Sequence, residues 1–217
     1  MRDWAAENSV ELIGCSIPGE ARAWRALLPG IGFDYVDTTL HATLARLQAM
    51  TYRPLRMPVR LALPDDRTGL EAIGERAFRA GRYHADPRFP RELADLRYRR
   101  WLADAVAAAG PANRIYVTGE SGAPTAFVHV TLQDSESGYV TLMGADPSAQ
   151  SSTAPVAVWI GTMQALKDAG IRRLDSKLSA GNPRMINLAA YAGWRLSEPR
   201  LVFHWHAPEA RHLLRFE

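Results

Sequence analysis

YVTLMGADPSAQSSTAPVAVWIGTMQALKDAGIRRLDSKLSAGNPRMINLAAYAGW, Tyr139 to Trp194, is the stretch whose reading decides the fold. Apolar alternation predicts a strand over residues 139–145, and a polar loop follows over 146–153. Apolar residues at helical spacing predict a helix over 154–169, then a strand over 171–178 and a helix over 183–192. A strand that opens straight into a helix N-terminus presents unpaired N–H groups and the positive end of the helix dipole to an anion. The arrangement recurs at Ser179-Ala180-Gly181-Asn182. Two such openings side by side suit a long ligand that carries phosphate.

Upstream, Val59-Arg60-Leu61-Ala62-Leu63 alternates as a half-buried strand should. Asp65 or Asp66 can cap the helix that follows through Leu70, Ile73 and Phe78. Residues 81–90 form a loop holding Arg82, Tyr83, His84, Asp86 and Arg88, and 91–109 form a long helix. Two strands, 114–118 and 125–132, flank the turn Gly119-Glu120-Ser121-Gly122. Downstream of Gly193, two short strands are expected around Ser197-Glu198-Pro199-Arg200, and a polar tail follows Ala207. Residues 1–55 read as a small α/β subdomain: a strand over 10–17, a helix over 20–28 and a strand over 33–44, with Pro54 and Pro58 bracketing a linker. Residues 56–217 form the main domain. The fold class is therefore α+β, a mixed central sheet with helices on both faces, preceded by the small unit.

The composition is that of an ordinary globular chain: 217 residues, 47% apolar, 23% charged, net charge +3. The basic residues are nearly all arginine, with Lys167 and Lys177 the two lysines. No block of like charge points to nucleic acid, and no run of about 18 apolar residues points to a membrane span. A single cysteine, Cys15, excludes an internal disulfide. The N-terminus lacks a signal-peptide pattern, so the expected location is cytoplasmic.

The element order, with several local sequences, resembles the GNAT superfamily of acyl-CoA-dependent N-acyltransferases, most closely its dTDP-fucosamine acetyltransferase group. The resemblance rests on Gly32-Phe33, on Val59-Arg60-Leu61-Ala62 followed by Pro64-Asp65, on Ala77 to Pro87, on Tyr98-Arg99-Arg100-Trp101-Leu102, and on Asn182 with Gly193-Trp194 eleven residues further on. It implies acetyl-CoA as co-substrate, no metal, a small amine acceptor such as a nucleotide-linked amino sugar, and a homodimer of the kind the family often forms. It places the polarising backbone at Met143-Gly144-Ala145, with Gly144 at its centre, and Asn182 beside the cofactor. The family's pyrophosphate loop, Gln/Arg-x-x-Gly-x-Gly/Ala, aligns from Gln150 onto Ser151, Ser152, Thr153, Ala154 and Pro155, and both glycine positions are lost. The three hydroxyls either bind phosphate or cap the helix. The family's general-acid tyrosine position is Ala189. Tyr191, two residues later, points about 200° away around the helix and is no substitute.

Amine acylation needs a polarised carbonyl, a neutral amine and a protonated or stabilised thiolate. His129 alternates away from Val128 and Val130 and is the best-placed titratable group, either a proton acceptor or a structural imidazole. Arg82, Tyr83 and Asp86 either receive an anionic or sugar-bearing acceptor or hold their own loop by an ion pair. His204 and His206 share one strand face without a third ligand in view. Two readings stand: an active N-acyltransferase, or a protein of that fold that has lost acyl transfer and serves as a binding partner or runs other chemistry.

Overall fold

A computed structural model describes residues 1–53 and 55–207. Pro54 and the tail beyond Ala207 lie outside the described residues. The elements are α1 (Arg2–Glu7), β1 (Leu12–Pro18), α2 (Arg22–Gly30), β2 (Phe33–Leu44), β3 (Val59–Leu61), α3 (Arg67–Ala77), α4 (Arg82–Ala85), α5 (Arg91–Ala107), β4 (Asn113–Glu120), β5 (Ala123–Leu132), β6 (Ser137–Ala145), α6 (Ala154–Asp168), β7 (Arg173–Ser179), α7 (Pro183–Tyr191) and β8 (Arg195–His206). The mixed α+β architecture expected from the pattern is the one observed. All eight strands join one sheet in the order β1-β8-β2-β7-β6-β5-β4-β3. The pairs are antiparallel except β6 with β7.

Alternation along the strands splits the core in two. Val128, Val130 and Tyr116 face α6 and pack on Val158, Met163 and Leu166. Phe127, Ile115 and Val117 face the other way, onto Leu70 and Ile73 of α3 and Leu102 of α5. Burying side chains of this size contributes roughly 1.5–3 kcal/mol each, so both helix layers are fixed to the sheet by its two faces. A third cluster joins Ala5, Ile17, Leu28 and Phe33 to Phe203 and Trp205 of β8. The leading strands thus share the sheet of the rest, with β2 lying between β7 and β8.

Three details depart from expectation. The two short strands expected after Gly193 are one strand, β8, because β2 pairs along most of its length and its register shifts between Leu40 and Ala42, opposite the segment that holds Pro199. The Pro199 carbonyl accepts from Gly19 N at 2.8 Å. Asp66 does not cap α3 with its side chain; fully buried, it takes a bidentate contact from Arg60 at 2.6 and 2.9 Å and N–H bonds from Leu63 and Gly122. The loop over 81–90 contains a short helix, α4, entered through Gly81 at φ +131°, a conformation that favours glycine.

Candidate active site

The site begins where β6 and β7 part. Their parallel pairing runs only from Ser137/Arg173 to Val140/Ser176. Ser176 Oγ closes the last pair by donating to the Val140 carbonyl at 2.8 Å. On the other edge of β6, His129 faces Leu142 and Val130 faces Val140, which leaves Thr141 as an extra residue. Such a bulge bends its strand and sharpens its twist. It turns residues 141–145 away from β7, while β7 continues to Ser179 paired with β2. The divergence opens a cavity of about 390 Å³ on the side of α3 to α5.

Among the residues that line this cavity, Asp37 is the one acid; Arg82, Arg97 and Lys177 are the cations. Asp37 comes from β2, where a register shift between Tyr35 and Asp37 re-aims the chain. It is 8% exposed and accepts from Ser179 Oγ at 2.8 Å. Burial raises its pKa above the ordinary carboxylate value, against the lowering effects of the Ser179 bond, the Thr38 N–H and the charge of Arg82. The opposite wall is aromatic. Phe78 stacks on Tyr98 at 4.4 Å, and Tyr98 lies parallel to Trp101 at 6.4 Å. The Arg97 guanidinium sits over the rings of Tyr83, Tyr98 and Trp101 at 4.7, 5.3 and 5.0 Å. Arg82 lies over Tyr83 at 4.8 Å and donates to its hydroxyl at 3.0 Å.

The structure brings several of the sequence-expected residues here and sets others apart. Arg82, Tyr83, Met143 and Asn182 line the cavity. Gly144 and Ala145 continue β6 paired with Phe127 and Ala126, and an added Cβ at Gly144 would come within 3.0 Å of Phe127 and Phe78. Asn182 caps α7, accepting from Met185 N at 3.2 Å. His129 faces a neighbouring groove beneath α5. Its Nε2 donates to Asn113 Oδ1 at 2.6 Å, since the Asn113 amide is fixed by donation to the Ala105 carbonyl, and its Nδ1 meets Thr141 Oγ1 at 2.6 Å. Burial drops its pKa to about 4, so the ring is neutral near pH 7. Asp86 does not line the cavity. Its buried Oδ2 takes bonds from His204 Nδ1 and His206 Nε2 at 2.6 and 2.7 Å, and its Oδ1 takes the Arg88 N–H. Burial pushes that carboxyl up, but the three donors outweigh it and its pKa lies below the usual range. The two strand histidines therefore do have a third partner. Both imidazoles bond to the one Asp86 carboxylate, clasping the loop that bears Arg82 and Tyr83 onto β8.

The loop from Asp146 to Thr153 stands outside this cavity. Asp146 binds Ser148 N and Oγ and Arg76. Ser152 Oγ donates to the Ala149 carbonyl at 2.7 Å and accepts from Ala154 N at 3.1 Å. Gln150, Ser151 and Thr153 are exposed, and Thr153 makes no side-chain capping bond. Pro155 has no N–H. On the α6 and α7 face, the point where the strands part is nearly filled. Trp159 and Trp194, 5.6 Å apart, border a chamber of about 20 Å³, room for about one water. Tyr191 is 91% exposed while Ala189 is buried, so Tyr191 does stand off the packed face of α7.

The sequence reading passed over Asp37 and Arg97. An acid inside the β-branched run Tyr35-Val36-Asp37-Thr38-Thr39 was the available signal for the first. For the second it was an arginine one residue before a tyrosine on a long helix with an apolar stripe.

No family model and no curated protein matches the chain. Solved structures do. A functionally unknown conserved protein from Staphylococcus epidermidis aligns with a TM-score of 0.66 at 10% identity, over 94% of this chain and 76% of its own. A GCN5-related N-acetyltransferase from Kribbella flavida gives 0.61 at 14%, over 94% and 72%. A tandem GNAT protein from the clavulanic acid biosynthesis pathway gives 0.61 at 12%, over 96% and 68%.

Proposed function

We propose that this chain, which shares its fold with the GCN5-related N-acetyltransferases, is an acyl-CoA-dependent N-acyltransferase acting on a small amine. The observation that supports the reading best is the parting of β6 and β7 at Val140/Ser176 into a cavity with a single buried carboxylate. The freed backbone of residues 141–145 would polarise the thioester carbonyl. The pantetheine arm would lie between the two strands beside Met143 and Asn182. The exposed side chains of Gln150, Ser151 and Thr153, rather than a glycine cradle, would meet the phosphates.

In this reading Asp37 receives the acceptor. The amine nitrogen attacks the thioester carbon, the C–N bond forms and the C–S bond breaks. The proton shed by nitrogen passes to the Asp37 carboxylate and from there to the departing thiolate. A carboxyl whose pKa burial has raised is a stronger base than an exposed one. His129, neutral with its Nε2 proton engaged by Asn113, holds the bulge through Thr141. A nucleotide-linked amino sugar is the finer form of this proposal.

Acetyl-CoA tests it. At about 100 times its dissociation constant a ligand stabilises by about 2.7 kcal/mol, a rise in melting temperature of about 5–10 °C for a chain of this length. The absence of any rise at millimolar acetyl-CoA would remove the reading.

A further inference from the structure

The cavity holds more positive than negative charge, and its cations are placed in an uncommon way. Asp37 is its one carboxylate, against Arg82, Arg97 and Lys177. Other buried or partly buried carboxylates of the fold have a charged partner: Asp66 has Arg60, Asp95 has Arg79 and His84, Asp175 has Arg173. Lys177, two residues from Asp175 on the same strand, does not pair with it. Arg173 and Thr43 take the carboxylate, and Lys177 is left to face the cavity. Among the described residues, none of the three cavity cations forms an ion pair.

Arg97 and Arg82 are mounted on the Tyr83 ring and are each partly buried. Ring faces fix a guanidinium plane and strip water from it without using its N–H donors in the plane. Both guanidinium groups lie within 5 Å of the Tyr83 ring centroid and line the same cavity, Arg82 with one N–H given to the Tyr83 hydroxyl, and a guanidinium's remaining donors suit the paired oxygens of a carboxylate or phosphate. Asp37 lies close enough to Arg82 for their charges to interact, yet bonds to Ser179 instead.

We infer that the acceptor is an anionic amine: besides its nitrogen, directed to Asp37, it carries a carboxylate or phosphate that Arg82 and Arg97 receive over Tyr83. This rests on the acyltransfer reading for the role of the amine, but the anion subsite is measurable without acyl-CoA. The experiment is an NMR titration of the full chain, with no CoA present, using three probes. Ethanolamine carries the amine alone, phosphoethanolamine adds phosphate, and β-alanine pairs an amine with a carboxylate. At least one anionic probe is expected to bind tenfold or more tightly than ethanolamine, and the tighter of the two identifies the anion. Arg97→Gln and Arg82→Gln should each erase that advantage while the chain keeps its native spectrum. Arg97→Lys, which keeps charge but loses the plane, should restore part of it. Equal affinity for all three probes would overturn the inference, as would an advantage that survives both glutamine substitutions. A missing acetyl-CoA effect alongside a retained anion advantage would sink the acyltransfer reading and leave the subsite standing.

Discussion

The cavity at the parted strands and the loop that leads into α6 stand at either side of the C-terminal end of β6, and their polar groups are used in opposite ways. In the loop, Asp146, Ser148 and Ser152 satisfy one another, the neighbouring backbone and Arg76. In the cavity, the partly buried Arg82 and Arg97 form no ion pair with any described residue, and one buried carboxylate has a single side-chain bond. Groups that complete their own bonding hold a shape; groups left incomplete at low exposure mark where a ligand completes them. In the acyltransfer reading the contrast gives acceptor specificity to the cavity, while Asp146, Ser148 and Ser152 hold the loop whose exposed side chains would meet phosphate.

The substitution that bears hardest on this contrast is Asp37→Asn. It keeps the bond from Ser179 but removes the base. A lost general base costs about 10²–10⁴ in rate, so kcat/KM with any amine acceptor should fall by at least about a hundredfold, with little change in melting temperature. Because burial raises the Asp37 pKa, the acid limb of the wild-type pH–rate profile should lie above the ordinary carboxylate range. An unchanged rate would return Asp37 to the scaffold and leave the two regions alike.

His129 sharpens the contrast from the other direction, as a titratable group whose two ring nitrogens both have partners inside the fold. Its pKa in the fold is about 4, against about 6.5 for a free imidazole. Above pH 6.5 neither state binds the proton and the group contributes nothing to pH dependence. As pH falls from about 6.5 to 4, only the unfolded chain is protonated, and stability drops by about 3 kcal/mol in all. Urea unfolding at pH 7 and near pH 4.5 should show this drop in wild type. His129→Gln, which can still donate to Asn113, should lose most of it. If the two proteins fall in parallel, the ring is not held neutral and a proton-handling role reopens.

How far the sequence revealed all this follows the range of the forces involved. Strands and helices from residue 59 to 194 were legible because period and turn chemistry act over a few residues. So was the exposure of Tyr191, from the helix repeat alone. The cavity was only half legible. Arg82 and Tyr83 stood out as an unusual local cluster, but Asp37 reaches the site from a strand more than a hundred residues away from its partner Ser179, through an insertion between β7 and β8 that no local pattern encodes. Asp86 shows the same limit in reverse. Its neighbours in sequence suggested a ligand contact, while its partners, His204 and His206, lie at the far end of the chain.

Ser152 gives the smallest effect and the closest test of the loop. Its hydroxyl donates to the Ala149 carbonyl and accepts from Ala154 N, so both functions are spent inside the chain and the latter does the work of a helix cap. Removing it in Ser152→Ala should cost about 1 kcal/mol of stability, as lost caps do. Acetyl-CoA affinity measured by calorimetry should move by less than about threefold, below the 1.4 kcal/mol that a tenfold change represents. The exposed Ser151 and Thr153 hydroxyls have no such internal duty, so the same truncation there should weaken affinity more than it weakens the fold. A tenfold loss in Ser152→Ala at unchanged stability would mean that this hydroxyl leaves Ala154 N for phosphate when the ligand arrives. The loop would then be a rebuilt cradle, as unfinished without its ligand as the cavity beside it.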